Sequence, residues 1–319
     1  AIIVELRVAE PLIPLTLFKN RTFTMSVLAS IAVGIALFAT IVYLGQYMQI
    51  ARGRTVIESS LLSLPMMAGM LGSSTVIGQL VSRRGKWKGF MIAGGFLLLA
   101  GMLLLGQMRY DTSYWYVGVG MFVLGCGIGM TMQNLVLVVQ NTVEPTQMGA
   151  ASSGVTFFRT LAGSAGMSVM GTLLGHKVSG YMADGVTDLQ TNNPQALTDP
   201  DVVSALQGLQ SGTLPKVSTL PDVLRTIVES SYGHAIGDVF LYVSPVAVLA
   251  IIAIGFIPNL PLSTQSNAER MRSHTLAEDL EERGVEFAAA TTGSIVLPHA
   301  KPVPSPQTRR EAREARDDA

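Results

Sequence analysis

Charge is scarce in this chain. Lys, Arg, Asp and Glu together make up 14% of the 319 residues, against roughly 25% in a soluble globular domain. That deficit excludes a conventional water-soluble fold and fits segments that face lipid. The formal net charge is zero, and the basic residues form no stripe that could track a phosphate backbone, so nucleic acid is not an expected partner. There is one cysteine, Cys126. No intrachain disulfide can form, and inside an apolar run Cys126 reads as a small packing residue. The four histidines, His176, His234, His274 and His299, are scattered without ligand-like neighbours, so no metal is expected. No phosphate-binding glycine loop is present, because the glycines sit within apolar runs. No pairing of catalytic acid, base or nucleophile falls in those runs. Neither an enzyme nor a cofactor is expected.

What the chain has is length and apolarity: 49% of its residues are hydrophobic. A bilayer is crossed by about 20 consecutive apolar residues in a helix. Six runs meet that requirement, at about 23–50, 58–81, 89–108, 115–140, 150–175 and 238–257. The expected fold is therefore an all-α membrane protein with six transmembrane helices. Residues 1–22 read as a connector and 258–319 as a charged tail, whose PVPSPQ and REAREARDD stretches have the composition of disorder. Residues 176–237 read as a long polar loop with short helices, one opening at Asp199-Pro200-Asp201 and one at Leu220-Pro221-Asp222. Pro65 and Pro245 lie inside spans and are expected to kink them. The sequence opens on Ala1 within what already reads as a connector, and a piece of a longer protein is expected.

Orientation comes from Lys and Arg in the short loops. The turn 82–88 carries Arg83, Arg84, Lys86 and Lys88 without an acid, which places it in the cytoplasm. Alternation then puts 1–22, the turn after the fourth span and the tail on the same side, so both ends are cytoplasmic. Residues 51–57, 109–114 and 176–237 face outward. Arg52 and Arg54 oppose this assignment, but they are outnumbered.

The stretch with the most information runs from Trp115 to His176. Two glycine-studded apolar runs flank a short polar turn, and the second carries Arg159 far from either end. A charge at that depth is costly and is a functional hypothesis by default. Gln133 and Asn134 near the middle of the fourth span join Arg159 as candidates for contacting substrate, with an interhelical hydrogen-bond staple as the alternative role. Gly125, Gly127 and Gly129, with Gly163 and Gly166 in the fifth span, suit close helix packing in lipid. No span interior holds Asp or Glu, since Glu58 and Asp238 lie at span ends. A proton-coupled carrier needs a titratable acid within the membrane, so such an acid would have to lie elsewhere.

Gly78-Gln79-Leu80-Val81-Ser82-Arg83-Arg84-Gly85-Lys86 resembles the cytoplasmic loop signature of the major facilitator superfamily, G-x-L-a-D-R-x-G-R-K. Gly78, Leu80, Arg83, Gly85 and Lys86 match, while Ser82 stands where the signature has an acid and Trp87 where it has its last basic residue. PLIPLTLFKNRTF, LGCGIGMTMQN, VEPTQMGAASSGVTFFRTLAGSAGMSVMGTLL and YGHAIGDVFLYVSPVAVLA are similar to the fourteen-helix drug:proton antiporters of that superfamily (EmrB/QacA type). The likeness covers about residues 11–257 and matches the last six helices. It implies a bacterial plasma-membrane exporter of amphipathic or cationic small molecules in exchange for protons. It also implies that an N-terminal half carries the coupling acids and part of the substrate cavity. A dedicated exporter of an endogenous metabolite or lipid stays open beside it, as does a non-transporting membrane interaction partner.

Overall fold

The structure is a computed structural model that describes residues 15–85, 87–192, 194–195, 199–210, 217 and 220–259. The chain divides into two units, 1–267 and 268–319. The second unit, most of the expected connector, Lys86 and the tail from 260 onward lie outside the described residues.

Among the described residues the fold is all helical. Asn20 opens α1 (Arg21–Gln46) by accepting the Thr22 amide on its side-chain oxygen at 2.9 Å. A single π-helical stretch, Tyr47–Ala51, extends α1. Thr55 and Glu58 form a reciprocal capping box at the start of α2 (Val56–Leu62). Ser63 then breaks the chain, and α3 (Leu64–Arg84) begins with Pro65 in its first turn. The span expected at 58–81 is thus two helices. Pro65 starts the second of them instead of kinking one, because a first-turn proline gives up no helical hydrogen bond. Gly85, at φ +66°, closes α3 with its amide on the Val81 carbonyl; only glycine adopts that backbone without strain. Next come α4 (Lys88–Gly106), α5 (Tyr114–Thr142), α6 (Met148–Asn192), α7 (Pro200–Gln210) and α8 (Asp222–Phe256). Pro245 lies within the continuous α8.

Among the described residues five stretches are long and apolar enough to cross a membrane: Arg21–Ala51, Val56–Val81, Lys88–Gly106, Tyr114–Thr142 and Asp222–Phe256. The fifth expected span, 150–175, lies inside α6. That helix is long enough, but Thr156, Thr160, Ser164, Ser168, Thr172 and Arg159 dilute its apolar character.

The expected loop at 176–237 is largely helix. α6 continues to Asn192, about 25 Å past residue 175 at 1.5 Å per residue, and α8 begins at Asp222, well before 238. The pattern behind the extension is amphipathic: Leu174, Val178 and Leu189 are buried, at spacings that keep them near one helix face. The expected short helix after Asp199 is α7, with the Asp199 carboxylate accepting the Asp201 amide at 3.0 Å. The helix expected after Pro221 is the first part of α8 and not a separate element. Leu189, Val202 and Leu224 bring α6, α7 and α8 into a small cluster of their own.

In the main bundle α5 packs between α3 and α4, α1 packs between α6 and α8, and α4 meets α8. Glycines set the close crossings. A Cβ at Gly101 would lie 2.5 Å from the Leu124 Cβ, and one at Gly127 would lie 2.4 Å from the Leu98 nitrogen, so α4 and α5 touch almost backbone to backbone. The helix ends sort into two groups. The Asn20 amide donates to the Thr142 carbonyl at 3.1 Å, joining the start of α1 to the end of α5. At the opposite ends, the Tyr47 hydroxyl donates to the Arg109 carbonyl at 2.7 Å.

Candidate functional site

Arg159 reaches its place because α6 crosses α1 at Gly34. A Cβ at Gly34 would stand 2.3 Å from the Arg159 carbonyl oxygen and 2.9 Å from its Cγ, so only glycine admits the arginine stem there. Arg159 is 4% exposed. Its Nη2 donates to the Ser30 hydroxyl at 3.2 Å and to the Met132 carbonyl at 3.4 Å, linking α6 to α1 and α5. Its Nε is buried and has no partner. Among the described residues no carboxylate pairs with it.

The other two candidates separate. Asn134 is buried and donates to the Met130 carbonyl at 2.7 Å, within its own helix. Gln133, its neighbour in sequence, is exposed on another face of α5. Adjacent residues on a helix point about 100° apart, so the two lie on different parts of the α5 surface. Among the described residues no hydrogen bond joins either one to Arg159. A link that sequence reasoning did not single out is Gln140, whose amide donates to the Ser152 hydroxyl at 2.8 Å and ties α5 to α6.

The packing glycines are where close packing needs them. A Cβ at Gly125 would lie 2.2 Å from the Met66 carbonyl oxygen, and one at Gly129 would lie 2.2 Å from that of Met70, both on α3. Gly127 faces α4 instead. A Cβ at Gly163 would lie 2.5 Å from the Phe38 ring, and one at Gly166 would lie 2.9 Å from the Ile35 side chain, both on α1.

The loop motif is less uniform. Arg83 is exposed and Gly85 ends α3. A Cβ at Gly78 would meet nothing within 4 Å. Lys86 lies outside the described residues. The residues that anchor this turn are Trp87 and Lys88. Trp87 is fully buried. The Lys88 ammonium donates to the Gly255 and Ile257 carbonyls at 2.9 and 2.8 Å, satisfying the end of α8 where the helix dipole favours a cation. Basic residues at a helix terminus are a legible signal, but the partner terminus is about 170 residues away in sequence.

Where α6 and α8 leave the α4 level there is a second polar cluster. Lys177 pairs with Asp238 at 3.2 Å, and the Tyr181 hydroxyl donates to the same carboxylate oxygen at 2.9 Å. The Lys177 ammonium also lies 5.2 Å from the centre of the Tyr242 ring. Its hydrogen bond to Asp238 holds the ammonium above the ordinary lysine range. Gly237, beside Asp238, would with a Cβ meet the Met108 carbonyl at 2.8 Å, which sets this cluster level with the end of α4.

A bundle of apolar helices with glycine crossings, a basic turn and one deeply buried cation matches one family model. The model described as Major Facilitator Superfamily matches residues 5–167. The chain belongs to the major facilitator superfamily. Its relatives within that superfamily include an uncharacterized MFS-type transporter of Mycobacterium tuberculosis, 31% identical across 81% of this chain and 36% of the relative. A multidrug transporter protein of Bacillus subtilis is 29% identical across 74% of this chain and 43% of its own length. A tetracycline resistance determinant of Streptomyces rimosus is 25% identical across 84% of this chain and 81% of its own. This major facilitator chain thus spans well under half the length of the first two relatives. It is a multi-pass membrane protein of a transporter superfamily, as the apolar helices require.

Proposed function

We propose that this chain is the C-terminal half of a fourteen-helix drug:proton antiporter, which exports amphipathic or cationic small molecules across a bacterial plasma membrane. The observation that carries the reading is the uneven covering of the helices. The apolar part of Val56–Val81 is only 11% buried, while that of Arg21–Ala51 and of Tyr114–Thr142 is 61% buried. α6 likewise exposes Phe157, Leu161 and Val169 beside Thr156, Thr160, Ser164, Ser168 and Thr172. Such a mixed flank suits packing against a second bundle or lining a wet cavity better than it suits lipid. In carriers of this architecture two bundles rock about a site near the midplane. The names of the Bacillus and Streptomyces relatives support drug export as the activity.

On this reading the coupling acids belong to the other half, because α1, α3, α4 and α5 hold no Asp or Glu, α6 holds none before Asp184, and the acids of α8 end at Asp238. Arg159, Gln133 and Asn134 are this half's candidates for contact with substrate. The turn after α3 and both termini are cytoplasmic, and α7 lies outside the cell. Everted vesicles containing the complete transporter test the function: they should accumulate ethidium when energised, and accumulation equal to that of empty-vector vesicles would remove drug export as the reading.

The orientation has its own test. In a Cys126→Ser background, Ser204→Cys on exposed α7 should react with an impermeant thiol reagent applied to intact cells. Labelling seen only after lysis would reverse the topology.

A further inference from the structure

We propose that Arg159 is an anion-binding subsite, one that receives the carboxylate or sulfonate of an amphipathic substrate. This deepens the exporter reading and rests on it. Arg159 is 4% exposed, and among the described residues its hydrogen bonds go to neutral acceptors, the Ser30 hydroxyl and the Met132 carbonyl. Its Nε is left unsatisfied. Ser26, one helical turn before Ser30 on the same face of α1, is also fully buried with an unpartnered hydroxyl. Buried polar groups in native proteins are almost always paired, so an unpartnered Nε on this buried arginine, with a second unpartnered hydroxyl one turn from its Ser30 partner, marks an incomplete site.

Water could accept from Nε but would leave the charge uncompensated in a medium of low dielectric. An anion does both. A guanidinium offers parallel N–H groups that match the two oxygens of a carboxylate, and such charge-assisted pairs are about twice as strong as neutral ones. Because the site lies among apolar helices, a ligand that reaches it must carry an apolar body with its acidic group. Cationic substrates would have to bind away from Arg159.

The probe pair is dansylaminoundecanoic acid and its methyl ester, which differ only in the charged end. Their binding to the complete protein in lipid nanodiscs is read by dansyl fluorescence. The acid is expected to bind at least tenfold more tightly than the ester. Arg159→Gln should erase that difference by weakening the acid far more than the ester, and Arg159→Lys should keep part of it. Equal affinity of acid and ester in the unmodified protein, or a preference that survives Arg159→Gln, would overturn the proposal. Equal affinity would also be the outcome if an acid of the polypeptide itself already occupied the guanidinium. Ethidium export by the same complete protein in everted vesicles separates the two layers: if export persists without an acid preference, this subsite falls and the exporter reading stands. If neither ethidium nor the acid is moved, the exporter reading falls.

Discussion

Gly125→Val combined with Gly129→Val is expected to push α3 away from α5 and destabilise the bundle. At both positions the added carbon would sit 2.2 Å from a backbone carbonyl oxygen, of Met66 and of Met70. Backbone atoms cannot rotate away as a side chain can, so the helices must move apart. Overpacking a well-fitted interface costs about 1–3 kcal/mol per site. In lipid there is no hydrophobic drive between helices to offset a lost close fit. The matching control is Gly78→Ala. Nothing lies within 4 Å of a Cβ there, and alanine gains up to about 1 kcal/mol of helix propensity over glycine. Thermal unfolding in detergent should place the double variant several degrees below the unmodified protein, and Gly78→Ala at or slightly above it. A double variant as stable as the parent would show that α3 and α5 do not cross as described.

Arg159→Ala is expected to slow export of dansylaminoundecanoic acid by roughly tenfold, a change of about 1.4 kcal/mol in the barrier, while ethidium export falls much less. One charge-assisted hydrogen bond, worth about 1.5–3 kcal/mol, is enough to account for it. The competing role is a staple that holds α6 to α1 and α5 through Ser30 and Met132. A staple predicts a different pattern: membrane abundance drops, and both probes slow by the same factor. Measuring the two initial rates per amount of protein in everted vesicles distinguishes these outcomes.

The fold class was legible because periodicity and charge scarcity are local properties of the chain. Arg159 stood out for the same reason, being an ionisable residue deep in an apolar run. The extension of α6 to Asn192 was hidden because residues 176–192 mix Lys177, Asp184 and Asp188 with an apolar stripe that only becomes a face once the helix turns. α8 was cut short at 238 for a similar reason: its first turns, with Asp222, Arg225 and Glu229, look like loop by composition. Pro65 was read as a kink because the break at Ser63 is marked only by the Thr55–Glu58 capping box one short helix earlier. Gln133 and Asn134 stand out in the sequence as polar groups in the middle of an apolar span, but which of them the bundle buries depends on the neighbours of α5 and is not a local property. Long-range ties such as Lys88 on the end of α8, or Lys177 and Tyr181 on Asp238, left no local trace from which they could be inferred.

Proton exchange is the central claim, and one flux measurement tests it most directly. The complete transporter is reconstituted into liposomes in its exporting orientation, with an acidic lumen reported by a pH-sensitive dye. Adding ethidium should release protons from the lumen at a rate that saturates with ethidium concentration and is absent from protein-free liposomes. Ethidium uptake without any accompanying proton release would contradict antiport.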